Sequence, residues 1–242
     1  MASSHGDFSA PPEVTTFHGL LFDMDGTIID STPAIVKHWT TIGKELGVDP
    51  AVILATSHGR RSIDVLKAYD PSRATPEYVS KIEGQIPTLY GSDAVELPGS
   101  RTLLAGLEAA GAPWAIVTSG SRPLVAGWLE LMKLTFPRNL VTAEDVPNGK
   151  PDPACYRLGY SKLYPEVMDE HRILVLEDAP AGVRAGKAAG FKVVAVATSH
   201  SVEEVLEAGA DWVVKDLASV KLVGYEAEKQ EVSIEITNAW VA

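Results

Sequence analysis

The sequence predicts an α/β fold, a parallel β-sheet covered by helices on both faces, with a helical domain inserted near its start. Two observations carry this. Short apolar runs rich in Val, Ile and Leu alternate with helix-length segments marked by capping residues, the pattern of strands buried on both faces. Between about Pro33 and about Glu96 the alternation stops, and the chain reads as helices without a clear strand.

Five runs read as strands of the sheet: residues 18–22, 113–117, 172–176, 192–197 and 212–214. A sixth, 231–237, alternates apolar and polar residues and reads as an antiparallel edge strand. Helix signals fall between them. Thr32 and Pro33 suit an N-cap and first helical position, and Gly47 a C-terminal stop. Thr75-Pro76 opens another helix, Ser100 opens one that Gly111 ends, and Ser201 with Glu204 forms a capping box ahead of Gly209. Pro98-Gly99 restores the alternation after the insert. The expected organisation is a Rossmann-like core over 15–32 and 97–242, a helical cap over 33–96, and a disordered tail over 1–14. That tail lacks the basic start and apolar run of a signal peptide.

Composition narrows the function classes. With 45% hydrophobic residues and no long apolar stretch, the 242-residue chain can build a core but offers no segment of the ~20 apolar residues that span a bilayer. Its single cysteine, Cys155, excludes an intrachain disulfide and reads as a buried or neutral thiol, which favours a reducing, cytoplasmic setting. The formal charge of −11 argues against nucleic-acid and anionic-membrane partners. An anionic ligand would need positive charge concentrated locally, by a metal or a few placed Lys or Arg residues.

Carboxylates cluster where strands end. Asp23 and Asp25 stand just past the first strand, and open parallel sheets bind ligands beyond the carboxyl ends of their strands. A D-x-D followed by Gly26 suits a tight turn and a hard cation, and alone it reads equally as a solvated turn. Thr118-Ser119-Gly120 follow the second strand, with hydroxyls and N–H groups able to hold phosphate oxygens. Glu177-Asp178 follow the third and add oxygen ligands of the kind Mg²⁺ takes. Lys150, in Asn148-Gly-Lys-Pro-Asp152 ahead of an expected helix, can neutralise both phosphate and crowded carboxylates. Each piece has a plain alternative, as a cap, a turn or a surface charge; four together at strand ends do not. Gly182-Val-Arg-Ala-Gly186-Lys187 is not a Walker A loop, because positions 181 and 188 are Ala; it reads as a small-residue helix packed on the sheet. The histidines other than His58 lack metal-ligand spacing and read as surface or capping groups.

The order D-M-D-G-T, V-T-S-G, G-K-P-D-P and L-E-D-A-P-A-G, running from about residue 17 over nearly the whole chain, resembles the haloacid dehalogenase superfamily of phosphatases. The resemblance implies that Asp23 attacks phosphorus to form an aspartyl-phosphate, and that Asp25 protonates the leaving alkoxide and then activates water. It implies that Thr118 and Lys150 hold the phosphoryl group beside Ser119 and Gly120. Mg²⁺ would be held by Asp23, the backbone carbonyl of Asp25 and Asp178, with Glu177 acting directly or through water. A carboxylate nucleophile is repelled by a phosphate dianion, and the metal and Lys150 offset that repulsion. A phosphomutase would share every core motif and differ in the cap. A 2-haloacid dehalogenase would leave Asp25 and the acidic pair superfluous, and a non-catalytic binding protein sits poorly with the intact set.

Within the insert, Ser57-His-Gly-Arg-Arg-Ser62 precedes an expected helix over 63–68. If residues 58–61 run helically, His58 and Arg61 share one face and can meet a ligand under the cap. The run S-H-G-x-R, with 77–87 and Leu97-Pro-Gly99, is similar to the fungal glycerol-3-phosphate phosphatases and, less well across 77–90, to the 2-deoxyglucose-6-phosphate phosphatases. Arg60 stands where a bulky apolar or a small residue is expected. The resemblance implies a small phosphorylated polyol or sugar as ligand, glycerol-3-phosphate (sn-glycerol-1-phosphate) first, and a chain that acts as a monomer.

Overall fold

The computed structural model describes residues 6–164 and 172–241. The chain opens with strands β1 (Asp7–Phe8) and β2 (Glu13–Phe17) and enters the main sheet through β3 (Gly19–Phe22). Strand β4 (Ile29–Asp30) leads into five helices, α1 (Thr32–Leu46), α2 (Pro50–Ser57), α3 (Ser62–Tyr69), α4 (Pro76–Gly84) and α5 (Ile86–Tyr90), and the chain returns through β5 (Val95–Glu96). There follow α6 (Ser100–Ala110), β6 (Trp114–Val117), α7 (Arg122–Met132), β7 (Asn139–Val141) and α8 (Ala154–Leu163). Then come β8 (Ile173–Glu177), α9 (Pro180–Ala188), β9 (Lys192–Val196), α10 (Val202–Glu207) and β10 (Trp212–Val214). Strands β11 (Val220–Glu226), β12 (Glu231–Ile236) and β13 (Trp240–Val241) finish the described chain.

The main sheet has six parallel strands in the order β10-β9-β8-β3-β6-β7. Alternation along each strand sorts side chains onto two faces. Leu20, Phe22, Ile116, Leu174 and Leu176 join α6 and α7 in one cluster, while Leu21, Ala115, Val117, Val175 and Val193 join α8, α9 and α10 in another. Strand β3 lies at the switch point, with β8 on one side and β6 on the other, and its register sets Phe22 level with Ile116 and Leu176. The loops after β3, β6 and β8 therefore converge on one crevice. The cap has an apolar centre of its own, built from Trp39, Ile42, Ile53, Val65, Leu66, Val79 and Ile82.

The structure departs from the sequence reading at several elements. The stretch 6–14 is no tail: β1 pairs with β13 and β2 with β12, so both are held by the chain's far end. Residues 1–5 lie outside the described residues. The 231–237 strand is the middle of a separate three-stranded antiparallel sheet, β11-β12-β2, rather than an edge. Its alternation reports one face packed on the core and the other turned outward, which holds for a central strand as well as for an edge. Strand β7 gives no sequence signal, because Asn139-Leu-Val141 is too short to show a period. The 33–96 segment does contain a strand, the two-residue β5, which pairs with β4 to make an antiparallel ribbon at the cap's root. The α1 N-cap is Ser31, one residue before Thr32, and it makes no side-chain cap bond. The Thr32 N–H is instead satisfied by Asp30 Oδ1 at 3.1 Å.

The Phe8 ring meets Trp240 edge-to-face at 5.1 Å across the β1–β13 pair. Phe8→Ala is expected to lower the free energy of unfolding by roughly 2 kcal/mol, the loss of a half-buried aromatic and its ring partner. Urea denaturation measures it; an unchanged midpoint would return residues 6–10 to the status of a tail.

Candidate active site

Asp23 continues β3 by one residue, its N–H donating to the Leu176 carbonyl at 2.9 Å. The chain then folds back on itself: the carbonyl of buried Met24 accepts from the N–H groups of Thr27, Ile28 and Ile29 at 3.2, 2.9 and 3.1 Å. Gly26 makes this loop possible. Its φ is +96°, and a Cβ there would occupy the space of the Asp178 carboxylate. Asp25, carried out of the strand, is fixed through Oδ1, which accepts from Ser31 Oγ at 2.6 Å and Trp128 Nε1 at 3.2 Å. Burial pushes its carboxyl above the ordinary range, against those two hydrogen bonds.

Lys150 occupies the centre. Its ammonium donates to Asp23 Oδ1 at 2.5 Å, Glu177 Oε1 at 2.6 Å and the Val117 carbonyl at 3.3 Å, so all three protons are placed. Burial alone would lower this lysine, but Asp23 and Glu177 hold it above its ordinary value, fully charged. The Glu177 carboxylate is saturated. Oε1 also accepts from Tyr156 at 2.8 Å, and Oε2 accepts from the N–H groups of Asp178 and Ala179 at 2.9 and 3.0 Å. Burial acts against its charge, yet Lys150 and these donors leave its carboxyl below the usual value. Asp23 moves the other way: burial pushes it up to about 8, opposed by Lys150 and reinforced by Glu177. Thr118 Oγ1 accepts from the Gly120 N–H at 3.0 Å, which leaves the hydroxyl proton free to donate into the crevice.

The cap closes over these groups. Asp23, Asp25, Thr118, Ser119 and Gly120 from the core, with His58, Arg60 and Glu83 from the cap, line a cavity of about 70 Å³. Ser119 Oγ donates to the Gly59 carbonyl at 2.9 Å, and Gly59, at φ +70°, approaches Ala179 too closely for any Cβ. The expected helical run over 58–61 does not form. Helix α2 ends at Ser57, His58 is extended, and α3 begins only at Ser62. Arg61 consequently does not share a face with His58 and does not line the cavity. It is buried, bound to Asp64 at 2.7 Å and to the carbonyls of Ala143, Val146 and Pro147 at 3.4, 2.7 and 3.0 Å. It ties the cap to the loop that delivers Lys150, while Arg60 reaches the cavity rim.

Residue patterns also understate some neighbours. His18 and His38 are buried rather than at the surface, and the His200 ring faces His58 at 5.7 Å. Glu83 does not stand out in the sequence as a site residue. Its burial pushes its carboxyl up, against hydrogen bonds from Ser121 and Ser62. The one available signal is its place four residues after Val79, the helical spacing that puts it on α4's buried face. Ser31, Trp128 and Tyr156, which orient Asp25 and Glu177, give no sequence signal beyond an ordinary capping or core residue.

The haloacid dehalogenase-like hydrolase family model matches residues 20–196. The chain belongs to that family. It is 40% identical over 218 residues to glycerol-1-phosphate phosphohydrolase 2 of Saccharomyces cerevisiae, covering 88% of this chain and 87% of that one. To 2-deoxyglucose-6-phosphate phosphatase 1 of the same yeast it is 35% identical over 234 residues, covering 90% and 94%. Among solved structures, a hydrolase from Pseudomonas syringae shares the fold with a TM-score of 0.71 at 26% identity, over 82% of this chain and 94% of that one. Among the described residues of this hydrolase, no helix is long and apolar enough to cross a membrane.

The donor set of this dehalogenase-like hydrolase fits a hard divalent cation. Carboxylate oxygens of Asp23, Glu177 and Asp178 lie within 4.8 Å of one another. Asp178 supplies the telling observation: Oδ2 accepts from Ser199 Oγ, while buried Oδ1 has no partner. Burial, with Glu177 and Asp23 beside it, pushes the Asp178 carboxyl well above its ordinary value. An oxygen so placed asks for a cation. Glu177 differs from Asp178 in that both its oxygens already accept hydrogen bonds, and one of them holds Lys150.

These roles separate in thermal melts. Glu177→Gln should lower metal-free stability by roughly 3 kcal/mol, because an amide cannot accept from Lys150, Tyr156 and two N–H groups at once. Asp178→Asn should leave metal-free stability unchanged or raised, since it removes the cost of taking up a proton on folding, and should abolish the Mg²⁺-dependent rise, about 2.7 kcal/mol at a hundredfold excess over Kd. A Glu177→Gln protein as stable as wild type in chelator would contradict this division.

Proposed function

We propose that this chain is a phosphoric monoester hydrolase that works through an aspartyl-phosphate on Asp23, with glycerol-1-phosphate (the same constitution as glycerol-3-phosphate, numbered from the other end) as preferred substrate. The observation that carries the reaction is the placement of two carboxylates in different settings at one strand end. Asp23 is paired with Lys150, and Asp25, raised by burial, is held by Ser31 and Trp128 facing the same cavity. One carboxyl held against an ammonium and the other by two neutral donors are the unlike settings that a nucleophile and a general acid require.

In the first step an Asp23 oxygen attacks phosphorus, the ester P–O bond breaks, and protonated Asp25 gives its proton to the leaving alkoxide. In the second step Asp25, now ionised, takes a proton from water as that water attacks phosphorus. The acyl-phosphate bond breaks, and Asp23, inorganic phosphate and protonated Asp25 are regenerated. Thr118 donates its hydroxyl to a phosphoryl oxygen beside Ser119 and Gly120. Lys150 holds Asp23 in line and offsets the charge of the phosphoryl oxygens. Mg²⁺ bound by Asp23, Asp178 and the Asp25 carbonyl would stabilise that same charge when present. The cap keeps bulk water from the crevice until the alcohol leaves.

The small cavity, lined by serine and threonine hydroxyls, His58 and Glu83, supports a short polyol over a hexose. It acquires the weight of a substrate assignment from the 40% identity to a glycerol-1-phosphate phosphohydrolase. The 2-deoxyglucose-6-phosphate phosphatase relative supports a hexose phosphate as second reading. A cytoplasmic setting agrees with the buried, unpaired Cys155.

Asp23→Asn should abolish phosphate release while the protein stays folded, and wild-type enzyme quenched in turnover should carry phosphate on Asp23 by mass. Near-normal turnover by Asp23→Asn would refute the covalent route. Catalytic efficiency on glycerol-1-phosphate should exceed that on 2-deoxyglucose-6-phosphate by at least tenfold; the reverse order would sink the substrate assignment alone.

Arg61 grips the loop ahead of Lys150 and not the ligand. Arg61→Ala should therefore lower turnover of glycerol-1-phosphate and of p-nitrophenyl phosphate by similar factors. Loss confined to glycerol-1-phosphate would put Arg61 back in the substrate pocket.

A further inference from the structure

Among the described residues, Glu83 is the one carboxylate that the cap's helices turn into the cavity. It is buried, with 3% of its surface exposed, on the α4 face that packs the cap's own core. Two donors hold it. Ser62 Oγ donates to Oε1, and the Ser121 N–H donates to Oε2 at 2.6 Å. Ser121 is the N-cap of the eleven-residue helix α7, so the carboxylate also sits at the positive end of a helix dipole. A carboxylate accepts at about four positions, and these two bonds leave lone pairs on both oxygens. On the same wall, buried Ser57 Oγ has no hydrogen-bond partner and also lines the cavity.

We propose that Glu83 is a specificity-determining residue of this site: it accepts hydrogen bonds from the hydroxyls of a neutral polyol or sugar phosphate, and its charge rejects phosphate esters that carry a second anionic group. The proposal rests on the phosphatase reading above and adds a substrate class to it. The phosphoryl end of the substrate is matched to Lys150 and Thr118. The alcohol end must then lie toward the cap, where hydroxyls meet Glu83 and Ser57. Burial pushes the Glu83 carboxyl up, while the Ser121 and Ser62 donors and the start of α7 act to keep it ionised. A carboxylate or second phosphate on that end would be driven against the ionised form in a small enclosed space, where like charges repel most strongly. Arg60 does not cancel this effect, because it is an exposed side chain at the rim.

The discriminating pair is glycerol-1-phosphate and 3-phosphoglycerate, which place a hydroxymethyl and a carboxylate at the same position of a three-carbon phosphate ester. Wild-type enzyme is expected to favour the neutral ester by at least tenfold in kcat/KM. Glu83→Gln should narrow that ratio at least tenfold, through a rise on 3-phosphoglycerate as well as a fall on glycerol-1-phosphate. Glu83→Asp should retain a preference for the neutral ester. A wild-type ratio near one, or a ratio unmoved by Glu83→Gln, overturns the proposal. If Glu83→Gln does not fold, wild type decides on a wider panel: rejection of both 3-phosphoglycerate and 2-phosphoglycolate upholds the charge filter, and turnover of either within tenfold of glycerol-1-phosphate overturns it. If the enzyme prefers a hexose, the same ratio is read on 2-deoxyglucose-6-phosphate against 6-phosphogluconate, so the loss of glycerol-1-phosphate leaves the test of Glu83 intact. Release of phosphate from none of these esters would instead remove the phosphatase reading itself.

Discussion

The Lys150 ammonium lies between Asp23 and Glu177 at 2.5 and 2.6 Å, with the Val117 carbonyl as its third acceptor. These partners come from the ends of β3, β8 and β6, three neighbouring strands of the parallel sheet. Four acidic side chains, Asp23, Asp25, Glu177 and Asp178, crowd that region, and among the described residues Lys150 is the buried cation that pairs with them. An unpaired buried carboxylate takes up a proton rather than keep its charge. Lys150 therefore decides which of the four stays ionised. Glu177, with the most donors, is held ionised; Asp178, with an empty lone-pair face, is not. A buried ion pair of this kind adds little net stability over an apolar substitute, and its value is positional. It makes the location of charge in the crevice independent of solvent.

The cap reaches this centre through backbone groups as much as through side chains. Arg61 binds three carbonyls of the 143–147 loop, Ser119 binds the carbonyl of Gly59, and Glu83 takes the N–H of Ser121. Each contact joins the cap to a loop that also carries a group given a role in the proposed reaction: Lys150 for the first, Thr118 to Gly120 for the others. The contacts that seat the cap are thus the same contacts that hold these loops in place. Both chain crossings between the domains meet in the antiparallel β4–β5 ribbon, two residues on each strand.

Much of this is legible in the sequence because each strand of a parallel sheet hands its chain to a loop on the same edge. Asp23, Thr118 and Glu177 each terminate an apolar run, so their convergence comes from topology alone. The groups that stay hidden depend on contacts far apart in the chain. Trp128 and Tyr156 look like core residues from their helical neighbours, and only the fold shows that one indole and one phenol point at carboxylates. Arg61 misleads for the same reason in reverse: an arginine in a ligand-like motif spends its donors on a neighbouring loop and Asp64. The end strands β1 and β2 leave no local period because their pairing partners lie more than 200 residues away.

The chain's overall charge adds a last constraint. A protein at −11 repels a phosphate ester at a distance, so capture has to be local. Arg60 is an exposed side chain lining the cavity, and Lys150 lies buried behind it, bound to the cavity-lining Asp23. Glu83 lines the same cavity from the cap, and Asp25, raised by burial, enters the proposed reaction protonated. On the function proposed above, such a cavity suits a molecule with one anionic end and a neutral hydroxylated body. It orients that molecule as well, since only the phosphoryl end gains by reaching Lys150. On that reading, selectivity asks for no dedicated cation in the cap, and Arg61 spends its donors on the loop ahead of Lys150.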